Sequence, residues 1–202
     1  MEMDWKTNMA ELGGAFMVSW LVLAELPGVD DAGDPTGDLL IAGLLLAVTM
    51  AAMAGAHILP MFTWISAMTG DLQDTDAWLG NVMRLLMQVA GAGAALALMG
   101  EGTVEAATVA PEMVGFELWA MLGMVAAGAV IGAVASRCDG WMTAFAVVAL
   151  AGAMGAGVTG AHDMAGELMG GGAIVEAAST WVLDGVVIGV GALLGGMLED
   201  QL

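Results

Sequence analysis

The sequence predicts an all-α membrane protein with six transmembrane helices and two re-entrant half-helices, arranged as an inverted 3+3 repeat. Three observations predict this fold. Of the 202 residues 59% are hydrophobic and 31 are glycine, with a mean hydropathy of +0.86, which is not the composition of a soluble globular domain. Acidic segments separate six apolar stretches, and the two halves of the chain repeat one plan of glutamate and histidine residues.

Each apolar stretch is interpreted as one membrane span, because about 20 residues cross the hydrocarbon core of a bilayer. The uncharged cores reach 18 residues at 39–56, 19 at 118–136 and 21 at 141–161. We expect the first stretch to be a span and not a signal peptide, because Glu2, Asp4 and Glu11 interrupt the basic region that such a peptide needs. In a single domain, 1–202, the predicted spans are 9–26, 39–56, 79–99, 112–135, 141–158 and 179–198.

The net charge of −19 lies mostly between these spans. It indicates a solvated acidic rim of the kind found in very salty surroundings, so we expect a halophilic source. A calcium loop is the weaker alternative, because no acidic run has the spaced ligands and central glycine of such a loop. With three basic residues the chain is not expected to bind nucleic acid, and the single Cys138 excludes a disulfide framework within it.

The basic residues predict the orientation. Lys6, Arg84 and Arg137 fall on one side of the predicted bundle, which the positive-inside rule makes the cytoplasmic side. We therefore expect a multi-pass protein of the cell membrane with both termini in the cytoplasm.

An internal repeat relates the two halves, 9–99 and 112–198. Both histidines stand in a Gly-Ala-His sequence, at 55–57 and 160–162. Glu11 precedes His57 by 46 residues and Glu117 precedes His162 by 45, and each glutamate lies inside an apolar span. Because each half has three spans, the second half enters the membrane from the opposite side, which makes the repeat inverted.

Short apolar segments follow both Gly-Ala-His sequences, Pro60 to Met68 and Met164 to Ala173. Nine or ten helical residues cover about half of the hydrocarbon thickness, so these segments are predicted to be half-helices. Pro60 suits the first position of a helix, where its missing N–H is not needed. Non-helical backbone at the bilayer midplane is tolerated where it lines a cavity, so the two segments are expected to meet there and bring His57 near His162.

The residues resemble the aquaporin and glycerol-facilitator superfamily over nearly the whole chain. Glu11 to Phe16 is similar to the opening span of that family, and Gly55-Ala56-His57 and Thr159-Gly160-Ala161 to the lead-ins of its two Asn-Pro-Ala loops. Gln88 with Gly91 to Ala94, and Trp181 with Gly185 to Gly189, match its third and sixth spans. The motifs themselves are replaced by Leu59-Pro60-Met61 and Met164-Ala165-Gly166, and Glu167 stands where the family has its filter arginine.

The resemblance implies a role for each candidate residue. Glu11, Glu117, His57 and Gln88 would support the loops, with Glu11 and Glu117 accepting hydrogen bonds from loop backbone. The pore and its constriction would be lined by Leu59, Pro60, Met61, Met164, Ala165, Gly166, Glu167, Gly152, Leu39 and His162. No metal site and no cofactor is expected, because 19 methionines place sulfur near any histidine without implying a soft-metal site. A homotetramer in the lipid bilayer is the implied assembly.

Three functions follow from these assignments. The first is a passive channel of aquaporin fold for water or small neutral solutes, with atypical selectivity. If Glu167 is ionised in the lumen, the barrier against cations falls, which leaves a cation-permeable channel of the same fold as an alternative. An apolar waist of Leu59 and Met164 can also dewet and close the path, which leaves a non-conducting scaffold. An enzyme is not expected, because no nucleophile stands beside a base in the sequence.

Overall fold

The computed structural model describes residues 4–23, 35–99, 118–154, 160–171 and 174–199. These residues form eight α-helices and one short π-helix, and none of them lies in a β-strand. The α-helices are α1 (Trp5–Met17), α2 (Pro35–Ala52), α3 (Pro60–Thr69), α4 (Thr75–Met99), α5 (Leu118–Arg137), α6 (Gly140–Met154), α7 (Ala161–Gly170) and α8 (Ile174–Glu199). The π-helix, Val18–Val22, continues α1 without a break. The predicted all-α class is confirmed for the described residues.

Helix α1 begins at Trp5, four residues before the predicted start of the first span, because Asp4 caps it. The backbone N–H of Thr7 donates to Asp4 Oδ1 at 3.2 Å, and the Thr7 hydroxyl donates to Asp4 Oδ2 at 2.5 Å. These two hydrogen bonds, the hydroxyl one first, lower the pKa of the exposed Asp4 carboxyl. An ionised carboxylate at this position satisfies N–H groups that the first helical turn leaves free.

The second half-helix differs from its predicted bounds. Helix α7 runs from Ala161 to Gly170, not from Met164 to Ala173. Gly160, with φ +25°, is its N-cap, and Gly171, with φ +68°, ends it in the left-handed conformation. Glycine reaches both conformations without a Cβ clash, so these two residues set the ends of the helix. Helix α3 spans Pro60–Thr69, one residue longer than predicted.

The helices pack in pairs, some within one half of the chain and some between the two halves. Helix α1 packs on α4, and α5 packs on α8, so the first and last long helices of each half are partners. Helix α2 packs on α6 across the two halves. Each short helix packs on the last long helix of the other half, α3 on α8 and α7 on α4, an arrangement called crossed packing below.

Glycines let these helix backbones approach closely. A Cβ on Gly91 of α4 would lie 2.1 Å from the carbonyl oxygen of Leu12 in α1. In the other half, a Cβ on Gly128 of α5 would lie 2.1 Å from the Ile188 carbonyl oxygen, and one on Gly191 of α8 would lie 2.2 Å from that of Val125. These distances are too short for any side chain, so the two long-helix pairs depend on glycine at their contacts.

Two described helices are long and apolar enough to cross a membrane by themselves, Thr75–Met99 and Ile174–Leu198. Three further apolar helical stretches are shorter, Asp38–Ala52, Met121–Arg137 and Gly140–Ala151. Large apolar side chains also cover outward faces of the bundle, as Leu40, Leu44 and Val48 do on α2. Successive side chains four residues apart share one face of a helix, so α2 presents a continuous apolar stripe to its surroundings.

Candidate functional site

The buried carboxylate of Glu11 organises the candidate site. Its side chain is fully buried and accepts four hydrogen bonds. Oε1 accepts from the backbone N–H of His57 at 2.7 Å and from Arg84 Nη1 at 2.8 Å. Oε2 accepts from the backbone N–H of Ile58 at 2.8 Å and from Gln88 Nε2 at 2.7 Å. The expected hydrogen bonds from loop backbone to Glu11 are therefore present. Each carboxylate oxygen also accepts one hydrogen bond from a side chain of α4.

Gln88 links this carboxylate to α3. Its Nε2 also donates to the hydroxyl of Thr63 at 3.1 Å, and that hydroxyl lies 3.1 Å from Nδ1 of His57. Gln88 and Thr63 are both fully buried. Gln88 Oε1 has no hydrogen-bond partner among the described residues. The network thus ties α1, α3, α4 and the α2–α3 loop together at one buried point.

The loop that Glu11 binds contains an unusual backbone conformation. Ile58 has φ +55°, in the left-handed region that β-branched residues rarely occupy. Its N–H is bound by Glu11, and its side chain packs against Gly14, where a Cβ would lie 2.2 Å from Ile58 Cγ2. A backbone conformation of this kind persists only where the surrounding structure holds it in place.

Leu59, Pro60 and Met61 follow this turn and begin α3. Leu59 is the N-cap in an extended conformation, its side chain makes no capping hydrogen bond, and Pro60 takes the first helical position as predicted. Leu59 keeps 1% of its surface exposed and Met61 keeps 2%. Both belong to the central cluster, a set of buried apolar side chains from several helices that includes Leu46 of α2 and Val147 of α6.

The second half-helix begins in a different environment. Ala161 and Ala165 are buried against Ala92 and Leu96 of α4, outside the central cluster. Met164 is buried in the first turns of α7 and is not its cap. The ring of Trp181 lies against Gly160, where a Cβ would be 2.4 Å from its Nε1. The two segments that replace the Asn-Pro-Ala motifs therefore do not lie in one cluster of buried residues.

The two Gly-Ala-His sequences occupy different positions, which corrects the register of the predicted repeat. Gly55-Ala56-His57 lies in the loop before α3, whereas Gly160-Ala161-His162 forms the start of α7. Nδ1 of His57 contacts the Thr63 hydroxyl. His162 is half-buried as a residue, but its Nδ1 atom is buried and has no hydrogen-bond partner among the described residues. The N-caps of the two short helices, α3 and α7, are Leu59 and Gly160.

The remaining candidates in the described part of the chain lie on three different helices. Glu167 is half-buried in the second turn of α7, and a Cβ on the neighbouring Gly166 would meet open space. Leu39, near the start of α2, is half-buried and packs on the central cluster. Gly152 lies within α6. Glu117 lies outside the described residues.

The side chains of Arg84 and Thr63 belong to the Glu11 network but are not among the site residues predicted from the sequence. The sequence indicates Arg84 only as a charge that sets the orientation, although it stands four residues before Gln88 and so shares one face of α4 with it. A buried glutamate needs a cation, and this spacing is the signal that could have identified it. Thr63 gives no signal of its own, because its position in the first turn of α3 is not informative until the loop geometry is known.

The chain was compared with models of known protein families and with curated proteins, and neither comparison finds a match. The resemblance to aquaporins therefore stays a prediction from the quoted residues.

Proposed function

We propose that this chain is a six-span membrane protein of aquaporin-like, inverted-repeat fold that provides a path for water or a small neutral solute. In the described conformation we propose that this path is shut at Leu59. The observation that carries the proposal is the crossed packing of the half-helices, α3 on α8 and α7 on α4.

Crossed packing is compatible with an inverted repeat. A two-fold axis in the membrane plane exchanges α1 with α5, α2 with α6, α3 with α7 and α4 with α8. Under this exchange the α1–α4 pair becomes α5–α8, the α3–α8 pair becomes α7–α4, and the α2–α6 pair maps onto itself. Each half-helix has 10 residues and is therefore about 15 Å long, half of the hydrocarbon thickness.

Exposed tryptophans support a transmembrane placement. Trp5 is the first residue of α1 and Trp141 the second of α6. Trp20 lies in the π-helix that continues α1, and Trp119, 82% exposed, is the second residue of α5. In a bundle whose long helices alternate in direction, the first two fall on one side and the last two on the other. Tryptophan is enriched at both interfaces of a bilayer, and the 15 helical steps from Trp5 to Trp20 span about 22 Å.

The orientation rests on fewer charges than the sequence indicated. Arg84 pairs with the buried Glu11 and is therefore not a loop charge. Lys6 at the start of α1 and Arg137 at the end of α5 still fall on the same side. These two residues favour a cytoplasmic location for that side, which includes both ends of the chain.

The burial of Leu59 favours a second candidate function, a non-conducting scaffold of the same fold. A lumen wide enough for water exposes the side chains that line it, and Leu59 and Met61 are 1% and 2% exposed. A gated channel in its shut state and a scaffold that never opens both have this feature. Substituting Leu59 distinguishes them.

The test is water flux into proteoliposomes, measured by stopped-flow light scattering for the unmodified protein, Leu59→Ser and Leu85→Ser. Serine shortens the side chain and caps helices well, so we expect Leu59→Ser to open the path and raise water permeability at least severalfold. Leu85 is buried in α4 but is not part of the central cluster, so Leu85→Ser controls for the loss of a buried leucine. If none of the three proteins exceeds empty vesicles, the channel proposal fails and the scaffold is favoured.

The same vesicles test the cation-permeable alternative. We expect Glu167→Arg to reduce cation leakage if Glu167 lines the path, because the exchange changes the local charge by two units. If both water flux and ion leakage are unchanged by Glu167→Arg, the assignment of Glu167 to a selectivity filter is wrong.

A further inference from the structure

The turn at His57 and Ile58 determines where Leu59 lies. Both backbone N–H groups of this turn donate to the carboxylate of Glu11, one to each oxygen. Leu59 follows directly, and Pro60 then starts α3. Because a change of φ at Ile58 would redirect every atom after it, the position of Leu59 depends on the bonds that hold the turn.

Arg84 is the cation that accompanies this carboxylate. Its Nη1 lies 2.8 Å from Glu11 Oε1, the same oxygen that accepts from His57. The Arg84 side chain is 24% exposed, whereas that of Glu11 is fully buried. A carboxylate in an apolar interior requires both hydrogen bonds and a compensating charge, and among the described residues only Arg84 forms an ion pair with Glu11.

We infer that Arg84 is a positioning residue that acts through Glu11 to hold the His57–Ile58 turn, and thereby keeps Leu59 in the central cluster. The effect on permeation rests on the proposed function. The effect on the turn does not, because it follows from the hydrogen bonds alone.

A purely structural role for Arg84 predicts a different outcome. If the ion pair only stabilised the bundle, removing it would weaken all helices together and would leave the turn no more labile than its surroundings. If Arg84 positions the turn, the amides of His57 and Ile58 lose protection selectively, since they share the carboxylate with Arg84.

The experiment compares Arg84→Met, Arg84→Lys and Arg137→Met with the unmodified protein in lipid vesicles. Amide hydrogen exchange is followed for a peptide covering 55–59 and for peptides from α4 and α8, and water flux is measured on the same vesicles. We expect about tenfold or faster exchange in the 55–59 peptide for Arg84→Met. Arg84→Lys keeps the charge and should restore most of the protection, and Arg137→Met, a matched loss of arginine elsewhere, should leave this peptide unchanged.

Each outcome decides between the two roles. Unchanged exchange at 55–59 in Arg84→Met overturns the inference, and so does an equal increase in the α4 and α8 peptides. Selective loss of protection with raised water flux supports both the inference and the channel. Selective loss with no flux in any variant supports the positioning role and overturns the channel. If Arg84→Met does not assemble, Arg84→Gln, which retains N–H donors without the charge, is judged by the same criteria.

Discussion

Gly14 of α1 lies directly against Ile58, the residue of the α2–α3 loop with φ +55°. A Cβ on Gly14 would come within 2.2 Å of Ile58 Cγ2 and 2.8 Å of Ile58 Cβ. The second atom is fixed to the backbone, so the clash cannot be relieved by rotating the end of a side chain. The conformation of the loop therefore depends on the absence of a side chain in the facing helix.

Gly14→Ala should displace the turn and destabilise the protein. Overpacking of this kind costs about 1–3 kcal/mol in the free energy of unfolding, and the amides of His57 and Ile58 should exchange faster because their distance to Glu11 increases. Both effects are measurable by denaturation in detergent and by hydrogen exchange. Gly13→Ala is the matched control, because a Cβ at Gly13 meets only Met53, with Cε the nearest atom at 3.4 Å. Equal effects of the two substitutions would mean that the contact between Gly14 and Ile58 does not determine the turn.

Gly128→Ala tests the packing of α5 on α8. A Cβ there would lie 2.1 Å from the backbone carbonyl oxygen of Ile188, so the two helices must separate to admit it. We expect the free energy of unfolding to fall by about 2 kcal/mol or more, with a lower thermal midpoint in detergent. Gly80→Ala in α4 has open space and should be neutral or stabilising by up to about 1 kcal/mol. A midpoint for Gly128→Ala at or above that of the unmodified protein would refute this close approach.

Part of this fold could be predicted from the sequence. Hydropathy predicted the long helices, and the repeated spacing of glutamate and histidine predicted two equivalent halves. Helices α4 and α8 are two of the long apolar helices that hydropathy predicted, whereas the equivalence of the two halves stays a prediction. The start of α7 could not be derived from the same motif, because local backbone conformation decides it: Gly160 takes φ +25° and caps the helix directly.

The candidate site was predictable only in part, for a similar reason. A fully buried carboxylate such as Glu11 requires hydrogen-bond donors, so its hydrogen bonds to the loop could be expected. The donors from α4 required knowledge of the α1–α4 contact, which Gly91 and the Leu12 carbonyl oxygen bring about. The sequence consequently indicates Arg84 only as a topological charge, whereas it is half of an ion pair with a buried carboxylate.

Thr63→Val should weaken the network around Glu11 without changing the volume of the side chain. The Thr63 hydroxyl is buried, accepts from Gln88 Nε2 and contacts His57 Nδ1, so its loss leaves a buried donor of Gln88 short of one partner. We expect a loss of about 1–3 kcal/mol in the free energy of unfolding. Thr69→Val in the same helix is the control, because its exposed hydroxyl bonds only the Ile65 carbonyl oxygen, and surface changes of this kind stay within about 0.5 kcal/mol. Similar unfolding curves for the two variants would argue against a structural role for the Thr63 hydroxyl.

The cap of α1 at Asp4 predicts a local dependence on pH. Hydrogen bonds from Thr7 lower the pKa of this carboxyl in the folded protein. A group whose folded pKa is depressed contributes stability above its unfolded pKa, about 3.9 for aspartate, and loses that contribution as the pH falls through the folded pKa. Below about pH 4, therefore, the Thr7 amide should lose protection from hydrogen exchange, after correction for the intrinsic pH dependence of exchange.

Asp4→Ser separates this effect from general acid unfolding. Serine also caps helices but does not titrate in this range, so the protection of the Thr7 amide should no longer depend on pH through the window in which Asp4 is protonated. Amides in the middle of α8 should behave alike in both proteins, because the main packing partners of α8 are α5 and α3. A loss of Thr7 protection in Asp4→Ser that follows the same pH curve as in the unmodified protein would assign the effect to another carboxyl group.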